Sequence, residues 1–493
     1  MFKKILYLFI IIIFFQTSVL AQQSKQVSGK QALLNYIESL KKDADLKNAL
    51  WSVMVVNCSS KNTVASYQAD KNLIPASIQK LITTGVGALT FKDNHQFSTL
   101  LAYDGIVDAD SVLQGNLYVI GGGDPTLGSG RFATTNTDSF FTLFFNALLK
   151  KGIRTVNGKI IADISLFDDI EPHDTWEWGD MGNYYGSGTC ALSFCENSFD
   201  ISIKPGDSVK HKAVLGSPFP ILPEAVIRNK ISTSPKDSSV NALIYSSPML
   251  AEYWLSGSIP IGKDSIVAKG TIRNPALACI QNLDIFLNNN GISTTQQFGI
   301  KTDMADITLI DTVTQWLSPN YCEIAESTNR YSNNMFAETI LKNLAANNPK
   351  LRPASYSTAI NVVMDKLKAK GIDTKNIRMV DGSGLSRQNF ISADFMCQFL
   401  LMMYSAYSGF DKLMPAPGEK GTLTGFMSAY PKSRSKVRIK SGSMTGVLNY
   451  AGYVKNKKGN TFCVTIMTNN FTCKVSKIRP KLEKLVYLIS ECE

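Results

Sequence analysis

Pro75-Ala76-Ser77-Ile78-Gln79-Lys80-Leu81-Ile82-Thr83-Thr84 is the stretch on which the reading of this chain turns. Pro75 is suited to open a helix, and the apolar positions Leu81, Ile82, Val86 and Leu89 that follow have helical spacing. Side chains three positions apart on a helix share a face. The Lys80 amine can therefore reach the Ser77 hydroxyl and take its proton during attack on a carbonyl. The stretch offers a nucleophile together with its base.

Ser-x-x-Lys recurs at Ser39/Lys42 and Ser433/Lys436, so the pattern alone is weak. Ser39 belongs to a polar-faced helix running into Lys41-Lys42-Asp43, and Ser433 to a basic loop; both read as solvated. Two later motifs add weight to Ser77. Ser332-Asn333-Asn334 precedes a helix start at Met335-Phe336-Ala337-Glu338, although Ser-x-Asn also occurs at Ser60, Ser318 and Ser327, and Ser327-Thr328-Asn329 is close enough to be a rival. A cap or turn is the bland alternative, since Ser and Asn are common there. The functional reading makes Ser332 a proton relay beside Lys80 and gives Asn334 a hydrogen bond to a substrate amide. Lys440-Ser441-Gly442 follows the strand-like Val437 to Ile439. There Lys440 would supply positive potential, Ser441 a hydroxyl donor to a terminal carboxylate, and Gly442 room for substrate along the strand. The backbone N–H groups of Ser77 and Ser443 would then form an oxyanion hole.

The rest of the composition narrows the field. At 493 residues and 44% hydrophobic, the chain is long enough for two or three domains. Lys3 and Lys4, the apolar run Ile5 to Phe15, and Val19-Leu20-Ala21 have the form of an export leader cleaved after Ala21. The run is shorter than the roughly 20 residues that span a bilayer, and the expected destination is the periplasm or cell envelope. Removing the leader lowers the formal charge of +11 by two. A basic exported protein leaves room for weak association with an anionic membrane or wall surface, but the charges are scattered, ordinary solvation is favoured, and no nucleic-acid partner is expected. Of nine Cys, only Cys190 and Cys195 are closely spaced, and Cys463 sits in an apolar strand-like run suited to a buried thiol. No Cys/His pattern matches a zinc site, and neither a metal nor another cofactor is expected. His95, His173 and His211 lie away from the motifs, and nothing supports a Ser-His-Asp arrangement.

Coarse periodicity gives helix then strands at the start (Lys30 to Leu50, Trp51 to Val56, Thr63 to Gln68), and strands then helix at the end (Tyr450 to Val454, Thr461 to Thr468, Lys477 to Ser490). This suits one antiparallel sheet assembled from both termini with helices against it. Between about Phe91 and Ala305 the runs are short and mostly strand-like, with helical exceptions at Ser139 to Lys150 and Pro275 to Asn288.

Longer phrases carry a family resemblance. Leu117-Tyr-Val-Ile-Gly-Gly-Gly-Asp-Pro-Thr-Leu127, Trp176-Glu-Trp-Gly-Asp-Met-Gly-Asn-Tyr-Tyr-Gly186 and Asp381-Gly-Ser-Gly-Leu-Ser-Arg387, taken with the three motifs, resemble the type-4 penicillin-binding proteins, the D-alanyl-D-alanine carboxypeptidase/endopeptidase family. The resemblance implies an α+β fold: a penicillin-binding, β-lactamase-like transpeptidase core of antiparallel sheet with flanking helices (residues 22–90 plus 306–493), and one or two inserted β-rich domains (91–305). It implies peptidoglycan stem peptides and β-lactams as partners. The 255 positions from Ser77 to Ser332 exceed what a compact β-lactamase places between these motifs. By the same resemblance Asp180, with Tyr185 beside it, would bind the free amine of a diaminopimelate side chain, and Arg387 and Met444 would line the cleft. Ser441 in place of the commoner Thr, and Gly179 in place of a frequent acid, are departures. A non-catalytic cell-wall binding protein of the same fold, and an esterase or D-aminopeptidase acting on small substrates, are the alternatives from other classes.

Overall fold

The computed structural model describes residues 29–248, 250–305 and 311–492, so the expected leader lies outside the described residues. Among the described residues no helix is long and apolar enough to cross a membrane.

Both termini build one sheet. Helix α1 (Gly29–Leu40) buries Leu33, Ile37 and Leu40 at helical spacing, and strands β1 (Leu50–Asn57) and β2 (Thr63–Tyr67) form a hairpin after it. From the other end come β3 (Val437–Met444), β4 (Val447–Lys455) and β5 (Thr461–Asn469). The order is β2-β1-β5-β4-β3, with every neighbour antiparallel. Strands β4 and β5 are buried on both faces, their apolar residues interspersed with the buried Asn449, Thr465, Thr468 and Asn469. Period-2 alternation sorts their residues into two cores. Leu448, Tyr450, Val454, Val464 and Ile466 pack with α1 and the C-terminal helix α6 (Val475–Ser490). Ala451, Tyr453, Cys463 and Met467 face the opposite way, towards α2 (Lys80–Thr90) and α5 (Ala393–Ala406).

Helix α2 crosses close to its neighbours because Gly87 has no side chain: a Cβ there would lie 1.9 Å from the Tyr321 hydroxyl. That hydroxyl donates to Thr84 O at 2.7 Å. Tyr321 opens α3 (Tyr321–Tyr331), and α4 (Asn334–Ala346) follows after the Ser332-Asn333 turn.

The chain between α2 and α3 forms further sheets. A five-stranded one runs Phe298–Lys301, Ile160–Asp163, Leu117–Gly121, Ser98–Tyr103, Asp311–Leu317. Helices Thr137–Lys150 and Pro275–Asn289 sit where the sequence pattern predicts them. The last strand of that sheet, Asp311–Leu317, pairs antiparallel with Ser98–Tyr103, so the sheet takes one strand from beyond position 306. Two local expectations change. Ser77 lies on a 3-10 turn, Ala76–Gln79, that hands over to α2 at Lys80. Ser433 is buried against Ser490, its hydroxyl 3.3 Å away, rather than solvated. All nine cysteines are free thiols, Cys190 and Cys195 included, and Cys463 is fully buried with its sulfur 3.3 Å from that of Cys58.

Two sheet asparagines pin the segment entering the nucleophile turn. Asn449 Nδ2 donates to Ile74 O and Pro75 O, both at 2.8 Å, while its Oδ1 accepts from Thr468 N. Asn469 Oδ1 accepts from Ile74 N at 2.7 Å. Replacing Asn449 with Ala leaves these buried backbone groups without their partner. We expect a loss of about 2–3 kcal/mol in urea unfolding, with slower acylation at Ser77; an unchanged unfolding midpoint would refute the clamp.

Candidate active site

The turn delivers Ser77 to the exposed edge of β3. Ala76 is held at φ +47°, a strained value for a residue with a Cβ, and Gly442 lies directly against the turn. A Cβ on Gly442 would stand 2.7 Å from Pro75 O and 2.9 Å from Ser77 N, so the strand and the turn touch backbone to backbone only because this position is glycine.

Lys80 has no exposed surface. Its Nζ donates to Asn334 Oδ1 at 2.6 Å and Ser383 O at 2.8 Å, and lies 2.9 Å from Ser77 Oγ. A neutral amine has two N–H groups, which these two acceptors occupy. The remaining tetrahedral position then aims a lone pair at the Ser77 hydroxyl. Burial pushes the Lys80 pKa down to about 7, while the carboxylates of Glu338 and Asp381 act against that fall. Glu338 is itself fully buried, and burial raises its pKa although Gly382 N and Ser383 N donate to it at 2.6 and 2.8 Å.

Lys440 is equally buried; its Nζ donates to Ser332 Oγ at 3.0 Å and Ser441 O at 2.7 Å. Burial, then the nearby Lys80, lower its pKa. Ser332 occupies a left-handed conformation (φ 58°, ψ 39°) at the end of α3, which turns its hydroxyl into the cleft while Asn334 starts α4. Asn334 uses both ends of its amide, accepting from Lys80 and donating to Tyr185 O at 2.7 Å. The rival motif is structural: Asn329 is buried and donates to Thr84 Oγ1 and Leu413 O.

Two compartments meet at Ser77, Ser332 and Ser443. The first, about 350 Å³, is bordered by Asp180, Tyr185, Arg387 and Met444, with Glu177 also facing in. Burial, then the Glu177 charge, raise the Asp180 pKa, and a hydrogen bond from Tyr185 opposes them. Arg387 pairs with Glu177 at 2.8 Å. A Cβ on Gly179 would meet nothing within 4 Å. The second compartment, about 290 Å³, is bordered by Ser441, Leu448, Tyr450 and the loop carrying Thr422 and Phe426.

All twelve residues singled out in the sequence thus lie in or against one cleft. The supporting residues were not foreseen. Glu338 is hidden in the apolar helix Met335 to Leu344, and its buried charge is the only local signal. Asp381 gathers Gly384 N, Ser386 N, Asn389 Nδ2 and Trp176 Nε1 at 2.7–2.9 Å, tying its own turn to the distant aromatic segment. Glu196 sits in a run of three left-handed residues, Cys195, Glu196 and Asn197, and accepts from Asn333 Nδ2 at 2.7 Å and Ser129 Oγ at 2.7 Å.

A lysine-activated serine at a sheet edge, completed by a second serine, an asparagine and a second lysine, defines a serine acyl-transfer enzyme of the penicillin-recognising fold. A sequence profile of the D-Ala-D-Ala carboxypeptidase 3 (S13) family matches residues 33–487, and the chain belongs to that family as a serine-type D-Ala-D-Ala carboxypeptidase. It is 26% identical over 438 residues to a D-alanyl-D-alanine carboxypeptidase of Actinomadura sp. (strain R39), covering 86% of this chain and 78% of that protein. It is 24% identical to the D-alanyl-D-alanine carboxypeptidase DacB of Haemophilus influenzae, covering 87% of each. The crystal structure of penicillin binding protein 4 (dacB) from H. influenzae superposes with a TM-score of 0.81 at 21% identity, over 93% of this chain and 99% of that one.

Because the base must be neutral, acylation should rise with pH along an acid limb centred far below the ordinary lysine range, near the Lys80 value of about 7. The Glu338 charge raises the Lys80 pKa, so Glu338→Gln should move that limb to lower pH. A stopped-flow pH profile checks both, and a limb near 10 or an upward shift refutes the assignment. Glu196→Ala should lower kcat about tenfold or more with KM little changed, since it frees Asn333 beside Ser332; Glu196→Gln should recover part of the loss.

Proposed function

We propose that this carboxypeptidase also cleaves D-alanyl-diaminopimelate cross-links of peptidoglycan, and that it acts outside the cytoplasm after loss of residues 1–21. The observation that carries the reading is the continuity of the cleft from Ser77 to Asp180, which gives a carboxylate within reach of an amine on the acyl side of the scissile bond. Lys80 takes the Ser77 proton as the hydroxyl attacks the carbonyl of the penultimate D-alanine. The oxyanion faces the N–H groups of Ser77 and Ser443, and Ser332 gives its proton to the leaving amine while taking one from the Lys440 ammonium, whose Nζ donates to it; Lys80 keeps the Ser77 proton until the ester is hydrolysed. Water then hydrolyses the ester on Ser77. A β-lactam follows the same first half, and its ring-opened acyl group keeps the leaving nitrogen tethered. Penicillin binding protein 4 from H. influenzae has a structure in complex with a β-lactam.

Fluorescent penicillin should label the mature protein at Ser77, with the label lost in Ser77→Ala and retained in Ser39→Ala; a folded protein that takes no label refutes the acyl-enzyme. Asp180→Asn should lower kcat/KM about tenfold or more for stem peptides bearing a free side-chain amine. Penicillin acylation should be unaffected. Equal losses on amine-bearing and amine-free peptides would remove Asp180 from recognition, and failure to digest purified cross-linked muropeptides would remove the endopeptidase activity.

A further inference from the structure

A terminal carboxylate needs a positive partner in the second compartment, and the two motif lysines are poorly placed to give one. Lys80 and Lys440 are fully buried and committed to Ser77, Asn334, Ser383, Ser332 and Ser441. Lys440 also points to the other face of the sheet. Along β3, alternation places Lys440 and Gly442 towards α2, but Ser441 and Ser443 on the face of Val437 and Ile439, which pack with α6.

Arg479 comes from that helix. It is surface-exposed and is the one charged residue bordering the second compartment, together with Ser77, Ser441 and Ser443. Register fixes its place more closely. Tyr450 is the direct cross-strand partner of Ser441; Arg479 lies beside the Tyr450 side chain and acts on its ionisation, and the Phe426 ring packs tilted against Tyr450 at 4.5 Å. The guanidinium thus lies one strand away from the Ser441 hydroxyl. Among the described residues it forms no ion pair; Glu483, one helical turn on, acts on it at longer range while accepting from Met427 N and facing Arg434.

We infer that Arg479 is the receptor for the carboxylate of the leaving amino acid, acting with the Ser441 hydroxyl to orient the scissile bond at Ser77. This inference rests on the carboxypeptidase reaction. It extends to the proposed cross-link cleavage, because both leaving amines carry a carboxylate on the adjacent carbon. A planar guanidinium offers paired donors to such a group, and its permanent charge does not depend on the titration of the buried lysines.

The test compares a synthetic peptide ending in D-Ala-D-Ala, its C-terminal amide, and an acyl-D-alanyl alkyl thioester with an uncharged leaving group, using wild type, Arg479→Gln and Arg479→Lys. Wild type should prefer the free acid to the amide. Arg479→Gln should lower kcat/KM for the acid about tenfold or more, chiefly through KM, with the amide and thioester changed less than about twofold, and Arg479→Lys should restore part of the loss. Equal losses on all three substrates, no loss on the acid, or no wild-type preference for the acid would overturn the inference. Failure of wild type to form an acyl-enzyme at Ser77 with the thioester would instead overturn the reaction itself, and this inference with it.

Discussion

The amine of Lys80 is enclosed by protein on every side and still has to accept a proton. Water would hold it charged; removing water is what makes it a base. The enclosure is therefore polar but finite: two acceptors for two N–H groups, and one open direction towards Ser77. Glu338 and Asp381 set the limit on this effect, since carboxylates so near would re-protonate the amine if their own charge were not drawn onto backbone N–H groups of the Asp381 to Ser386 turn. Linkage gives the consequence for stability. A lysine whose pKa falls on folding binds fewer protons than the unfolded chain between the two values, so the native state gains stability as pH rises from about 7 towards the ordinary lysine pKa of 10.5. Reactivity and folding thus improve in the same direction over that window.

The sheet edge is the second constraint, and it follows from the first. A nucleophile turn pressed onto β3 requires a strand with one free side and a position without a Cβ, which Gly442 supplies. An unpaired edge ordinarily invites pairing with any other strand. Here the loop around Thr422 and Phe426 and the aromatic segment around Glu177 to Tyr185 wall the cleft that runs past this edge. Alternation along the same strand then divides labour: Lys440 faces the proton-transfer network, and Ser441 faces the second compartment.

The sequence made legible whatever is carried by short-range spacing. Ser77 and Lys80 are one turn apart, Ser332 and Asn334 flank a helix start, and Lys440 to Ser443 are consecutive on a strand. The terminal sheet was likewise readable, because its strands announce themselves by apolar runs and its helices by period. Positions whose meaning is set by distant packing were not. Glu338 looks like an ordinary residue of an early helical turn until the Asp381 turn arrives 44 residues away in sequence to bind it. Ser433 looked solvated because its neighbours are basic, whereas the fold lays it against Ser490. The pairing of Asp311–Leu317 with Ser98–Tyr103, some two hundred positions earlier, is likewise a long-range contact that local composition does not report.

Contacts of the same long range tie the inserted region to the catalytic core. Trp176 donates to Asp381, Tyr185 O receives Asn334, and Glu196 holds Asn333, so three separate points of the insertion reach side chains within or directly beneath the catalytic network. Each contact ends on a residue that in turn orients a reacting group: Asp381 organises the turn whose Ser383 O binds Lys80, Asn334 binds Lys80 directly, and Asn333 borders Ser332. An appended module that merely recognised substrate would leave the core able to assemble alone. Here the left-handed turn at 195–197 and the aromatic segment close hydrogen bonds that the core leaves open. The competence of the base consequently depends on contacts that the insertion supplies.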